Sequence, residues 1–226
     1  MDQSQLTHGF LPQIVNIEVL KSLKTAFYDF LSLKSYPSYT SNINDLIPEI
    51  SQLVSHELKR KIQYLLSEVD IELCNVEGHY LPPGAPAIPA HQDNFYHAVN
   101  DGRGLKILVP MSDFNQHNGS LTYLDCPSSI GTKIHFPSCT PNFSAEISKE
   151  SLSQLNYQRT CYNYTLGDAS YHLLNSIHLS HGNNSSVASS FLVFRYQPCN
   201  AGIDESARRN YQECYESHLN LLNKLT

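Results

Sequence analysis

Between residues 69 and 200 the sequence breaks into short apolar segments separated by turn formers. Residues 71–76 alternate apolar and polar, as a half-buried strand does, and residues 105–109, 120–124, 169–174 and 191–196 are strand-like apolar runs. Residues 134–136 and 157–166 carry weaker strand texture. The turns come from Pro82, Pro83, Gly84 and Pro86, from the link 110–119, and from Gly167-Asp168. Many short strands with frequent turns predict an antiparallel barrel or a double-sheet jelly roll.

The two ends read differently. Val19, Leu20, Leu23, Ala26, Phe27 and Phe30 fall on one helical stripe within residues 18–30. Ser35 and Pro37 break that helix. Residues 45–67 predict a second helix, with Asp45 as N-cap and Pro48 in the first turn. Residues 204–225 predict a third, striped by Ala207, Tyr211, Cys214, His218, Leu221, Leu222 and Leu225. The chain therefore reads as one domain over residues 1–226. It has a helical part (1–68), a jelly-roll core (69–200) and a C-terminal helix (201–226), and the helices brace one face of the core. The polar stretch 137–153 reads as a lid or insertion.

Composition narrows the function. A formal net charge of −6 with 16% charged residues argues against a nucleic-acid surface, which needs a basic patch. No apolar run approaches membrane-spanning length. Six cysteines without a C-x-x-C pair, and an opening Met-Asp-Gln-Ser with no apolar signal, predict reduced, mostly buried thiols in a cytoplasmic protein.

Chemistry concentrates at His91-Gln92-Asp93. On an extended segment the H-x-D spacing puts an imidazole and a carboxylate on one side. A second imidazole from a distant strand completes two histidines and a carboxylate, a set that suits Fe(II) with positions left open for substrate and oxygen. An exposed His/Asp pair is the ordinary reading of an isolated H-x-D; the partner segment near His178 is what raises this one. His172, His178 and His181 all stand near enough to supply the third ligand.

Three stretches together resemble the phytanoyl-CoA dioxygenase-like family of non-haem iron oxygenases. They are His91-Gln92-Asp93-Asn94 with Phe95 and Tyr96, residues 105–109 followed by 113–121 with Asn118-Gly119, and Gly167-Asp168 followed by His178, Asn183 and Ser185. The resemblance implies a double-stranded β-helix, Fe(II), O2, 2-oxoglutarate as co-substrate and a small-molecule substrate. It assigns the metal to His91, Asp93 and His178, and Asn183 and Ser189 to the co-substrate region. Asn94, Tyr96 and His97, beside the metal motif, are expected at the substrate pocket, whose specificity should lie in loops 81–89, 94–104 and 137–153.

One departure matters. The family anchors 2-oxoglutarate on an arginine eleven residues after the distal histidine, and here that position is Ser189. A buried carboxylate without a partner costs several kcal/mol. Lys106 is the preferred replacement, with a solvent-facing strand lysine as its ordinary reading, and Arg159 is next. Arg195 lies roughly 20 Å along the strand from Ser189. Three functions follow: a 2-oxoglutarate-dependent oxygenase, an iron enzyme of the same fold that does without 2-oxoglutarate (an oxidase or isomerase), and a catalytically silent jelly-roll binding protein. In the first, the resemblance implies hydroxylation or another oxidation of the small molecule, with desaturation, cyclisation and epimerisation sharing the same site, and the carboxylate of Asp93 speaks against halogenation.

Overall fold

In the computed structural model, which describes residues 7–32, 38–127, 130–140 and 142–224, the alternation becomes two antiparallel sheets. The chain runs through β1 (His8–Leu11), α1 (Ile17–Ser32), β2 (Ser38–Thr40), α2 (His56–Leu66), β3 (Ile71–Leu81), β4 (Ile88–His91) and α3 (Asp93–His97). It continues through β5 (Leu105–Pro110), β6 (Leu121–Leu124), β7 (Phe136–Pro137), β8 (Ala145–Glu146), α4 (Lys149–Ser153), β9 (Arg159–Cys161), β10 (Ala169–Leu173), β11 (Ile177–Ser180), β12 (Ser189–Pro198) and α5 (Glu205–Asn223). One sheet has the order β1-β10-β5-β12-β3-β2 and the other β4-β11-β6-β9, which is the double-stranded β-helix.

Strand parity divides the large sheet into two faces. Leu105, Ile107 and Val109 of β5 and Leu192, Phe194 and Tyr196 of β12 face the helical layer, where they bury against Leu20, Leu23 and Phe27 of α1 and Leu58 and Ile62 of α2. Each such side chain removed from water contributes about 1.5–3 kcal/mol. The intervening residues, Lys106 and Leu108 on β5 and Phe191 and Val193 on β12, line the interior between the sheets. Gly78 of β3 lies beneath the helical layer. A Cβ there would come within 2.5 Å of Ile43 Cδ1 and 3.0 Å of Phe27 Cε2, so those side chains would have to shift.

The structure corrects several sequence expectations. Residues 45–67 are not one helix. Two 3-10 turns, Ile43–Asp45 and Pro48–Leu53, precede α2, whose N-cap is Ser55; its side chain accepts from the Leu58 N–H. The apolar stripe survives the break because Ile50, Leu53, Leu58 and Ile62 all enter the same core. Within the predicted strand 157–166 only Arg159–Cys161 pairs as one, while β1, β2 and β11 are strands that periodicity did not reveal. The stretch 137–153, expected to be loop-like, holds β8 and α4.

The third helix departs most. Whereas α1 and α2 cover the large sheet, α5 packs on α3 and on the β7–β8 hairpin, with Asp204 capping its start. Ser35, Pro37 and Leu225 lie outside the described residues. All six cysteines are free, and only Cys126 and Cys214 are buried, against the expectation of mostly buried thiols. No helix among the described residues is long and apolar enough to cross a membrane.

Candidate metal centre

Strand β4 ends at His91 because the next residue is pinned by its side chain. Gln92 keeps an extended backbone (φ −123°, ψ 133°). Its amide donates to the carbonyls of Gly131 and Asn175 at 2.8 and 2.6 Å, and its Oε1 accepts the Lys133 N–H at 2.7 Å. Its own N–H donates to His135 Nε2, and Asp93 then opens α3. The extended segment predicted through Asp93 thus stops one residue early, yet His91 and Asp93 still converge. Gln92 is a positioning residue that sequence reasoning missed, since a middle residue of H-x-D carries no signal of its own.

His178 of β11 stands opposite His91 of β4 in the antiparallel register, and the ring centroids are 4.3 Å apart. Both rings are oriented alike. His91 Nδ1–H donates to the Pro89 carbonyl at 2.8 Å and His178 Nδ1–H to the Ser176 carbonyl at 3.0 Å. Each Nε2 is left with its lone pair free, the arrangement that orients metal-binding imidazoles. Ligand atoms of His91, Asp93 and His178 all lie within 4.8 Å of one another, and all three residues are buried. Among the described residues this is the one group of its kind. His172 is not a member; it bonds to Asp93, with Nε2 at 2.8 Å from Oδ2. His181 is exposed beyond β11.

Protonation suits a metal. Burial raises the Asp93 pKa, but the Lys106 ammonium and the His172 hydrogen bond outweigh it and hold the carboxyl well below the usual range. Burial, then the neighbouring imidazoles, keep His178 well below its ordinary value, and burial also lowers His91. Two neutral imidazoles and an ionised carboxylate need shed no proton to bind a divalent cation.

The other predicted residues divide. Lys106 is in the site, buried, with Nζ 2.8 Å from Asp93 Oδ1 and 3.5 Å from Glu77 Oε2. Its solvent-facing reading is therefore wrong. Glu77 also accepts from Asn75 and His79. Burial alone would raise its pKa, but Lys106 and His79 bring it to about 2. His97 lines the cavity with a buried Nε2 that has no partner, and burial lowers its pKa to about 3. Tyr96 lines it too.

Asn94 does not line the cavity. Its side chain bonds to Val99 and Thr132, closing the turn after α3. Asn183 is spent on Leu81, Val187 and Ser185. Ser189 is buried with an unpartnered Oγ, on the strand parity of Phe191, and at that end the interior is an apolar cluster with Leu81, Phe114 and Tyr164. Arg159 is exposed on β9. Arg195 pairs in register with Lys106, so it lies at the level of the metal group rather than of Ser189.

The cavity has a volume of about 550 Å³. Loops 81–89, 94–104 and 137–153 contribute Ile88, Tyr96, His97, Phe143 and their neighbours, as expected. The inward row Asn75, Glu77 and His79 of β3 and the wall supplied by α5 were not expected. The polar alternation of β3 was a legible signal for the first; nothing in the sequence announced the second.

No family model matches this sequence, and no curated protein sequence matches it. Solved structures match in three dimensions. SnoN, a non-haem α-ketoglutarate-dependent epimerase from nogalamycin biosynthesis, aligns over 88% of this chain and 81% of its own, with a TM-score of 0.71 at 13% identity. EvdO2 from Micromonospora carbonacea var. aurantiaca aligns over 88% and 89%, with 0.70 at 15%. EctD from S. alaskensis aligns over 88% and 76%, with 0.73 at 17%. The fold is that of the 2-oxoglutarate-dependent non-haem iron enzymes. At such identities the likeness establishes architecture; what this chain does rests on its own residues.

Proposed function

We propose that this chain is a non-haem Fe(II) oxygenase, of the phytanoyl-CoA dioxygenase-like kind, that uses 2-oxoglutarate and O2 to oxidise a small molecule. One observation carries the reading. Two imidazoles tethered through Nδ1 present free Nε2 atoms beside an ionised carboxylate, at the wall of a cavity large enough for a ligand. Relatives in fold add support, since SnoN is known with Fe3+ and α-ketoglutarate and EvdO2 with 2-oxoglutarate.

In this reading His91, Asp93 and His178 hold the iron, which when bound supplies the one-electron chemistry that O2 requires. The chain's own groups do the rest. Lys106 receives the far carboxylate of 2-oxoglutarate, and the unpartnered His97 Nε2 is a second polar contact for it. Lys106, rather than Ser189 at the apolar end of the interior, would then be the group that holds this carboxylate. Tyr96 stands at the substrate side.

Glu77 favours a second reading. Its carboxylate already neutralises Lys106, so an oxidase or isomerase whose substrate ligates iron directly would need no 2-oxoglutarate. Anaerobic titration of the Fe(II) protein with 2-oxoglutarate separates the two. A saturable visible charge-transfer band from a chelated 2-oxo acid supports the first reading. Stoichiometric iron without that band supports the second. A protein that holds no stoichiometric iron sinks both, and leaves a binding protein of this fold.

A further inference from the structure

From the metal group outwards runs a continuous series of aromatic rings. His91 meets Tyr96 edge-on with centroids 5.7 Å apart, Tyr96 meets Tyr211 at 5.5 Å, and Tyr211 meets Tyr215 at 6.1 Å. Phe143 flanks the same start, 6.0 Å from the His91 ring. Tyr211 and Tyr215 are one helical turn apart on α5, so they present one face of that helix to the cavity. The face continues into Leu219 and Leu222. Tyr215 is 38% and Leu219 42% exposed, so this apolar surface is left partly open at the cavity mouth.

Charge is confined to the inner end. The charged residues lining the cavity are Glu77, Asp93 and Lys106, and they pair among themselves. None of the charged side chains of α5 lines this cavity; Glu205, Arg208 and Arg209 line an adjoining recess that shares Tyr96, His97 and Tyr211 with it. A charged ligand lying along the rings would meet no counter-ion among the residues that line this cavity beyond that inner cluster, and would shed part of its hydration. An uncharged ring system would lose little and would gain offset or edge-on ring contacts.

We infer that the inner face of α5 is the substrate wall, and that its ligand is an uncharged, ring-bearing molecule lying along Tyr96, Tyr211 and Tyr215 with one edge at the metal group. The metal-enzyme reading is needed only to call this ligand a substrate; the binding surface stands without it.

The chain contains no tryptophan, so a naphthalene probe can be excited without interference from indole. Full-length, metal-free protein is titrated with naphthol, naphthalenesulfonate and naphthylmethylammonium, and anisotropy is followed. Naphthol should bind at one saturable site, about tenfold or more tighter than either charged probe. Tyr215→Ala should weaken it about tenfold, the scale of one ring contact with its buried area, while Tyr215→Phe keeps the affinity. Tyr215 is exposed enough for both variants to fold, and circular dichroism checks that they do. Equal or tighter binding of the ammonium probe would assign the cavity to cations drawn by Glu77 and overturn the inference. So would naphthol affinity that ignores Tyr215→Ala. Because the titration uses neither iron nor 2-oxoglutarate, its failure and the failure of the oxygenase reading are separate results.

Discussion

His172 Nε2 lies 2.8 Å from Asp93 Oδ2, and this bond joins the two sheets at the metal group. His172 belongs to β10 of the large sheet, whereas Asp93 follows β4 of the small one. With Nε2–H donating to the carboxylate, His172 Nδ1 is left to accept the Tyr123 hydroxyl at 3.2 Å. Tyr123 is fully buried, so the chain Tyr123–His172–Asp93 fixes the carboxylate from the large sheet.

Outer partners of this type typically contribute ten- to a hundredfold in metal affinity. His172→Ala should weaken Co(II) or Fe(II) binding by about that factor, measured against a chromophoric chelator, with secondary structure unchanged. His172→Gln, which can place a donor near the same oxygen, should recover part of the loss. Affinity unchanged in the alanine variant would show that Asp93 needs no help.

Lys106→Met tests the co-substrate anchor. The apparent KM for 2-oxoglutarate should rise about ten- to a hundredfold, the worth of a buried charge-assisted contact. Iron affinity should hold or tighten, because the ammonium and the metal compete for the same Asp93 carboxylate. An unaltered KM would eliminate Lys106 and move attention to His97.

Acid stability should depend on Asp168. Its Oδ1 accepts the Gln13 N–H and Nε2–H, each at 2.9 Å, and its Oδ2 accepts the Thr165 N–H and hydroxyl, each at 2.8 Å, tying the loop after β1 to the turn before β10. Burial raises its pKa, but these donors together outweigh it and leave the pKa lowered. A lowered folded-state pKa stabilises above the ordinary aspartate value of about 4 and is lost as pH falls through the folded value. Asp168→Ala should cost about 2 kcal/mol at neutral pH, and the gap to the parent should narrow below about pH 4. Urea unfolding at both pH values checks this; a gap independent of pH would count against the carboxylate.

Gly182 follows β11 in the left-handed region (φ +77°), and a Cβ there would sit 2.3 Å from the Ala85 carbonyl oxygen. Gly182→Ala should destabilise by about 3 kcal/mol, from backbone handedness plus a clash against main chain. A melting temperature within a degree or two of the parent would refute it.

Legibility tracked the range of the interaction. Strands 105–109, 169–174 and 191–196 and helices 18–30 and 204–225 were readable because side-chain period is set by neighbours a few residues away. The strand β11, which carries His178, was not. Its Ile177-His178-Leu179-Ser180 is short, and its strand character comes from pairing with β4 on one side and β6 on the other. The single helix expected over 45–67 failed because an apolar stripe persists across a break once both pieces pack into one core.

By itself the sequence determined the class of fold, the pairing of His91 with Asp93 and the missing arginine at Ser189, all of which depend on local pattern or on identity at one position. The tertiary structure decided the rest. It placed the His178 imidazole opposite His91 through cross-strand register and the His172 imidazole against Asp93 Oδ2. It set Glu77 against Lys106 and brought α5 to the cavity rather than to the helical layer. Those outcomes rest on residues 29 or more positions apart meeting within and between the sheets, and side-chain periodicity carries no information about which distant partner will be met.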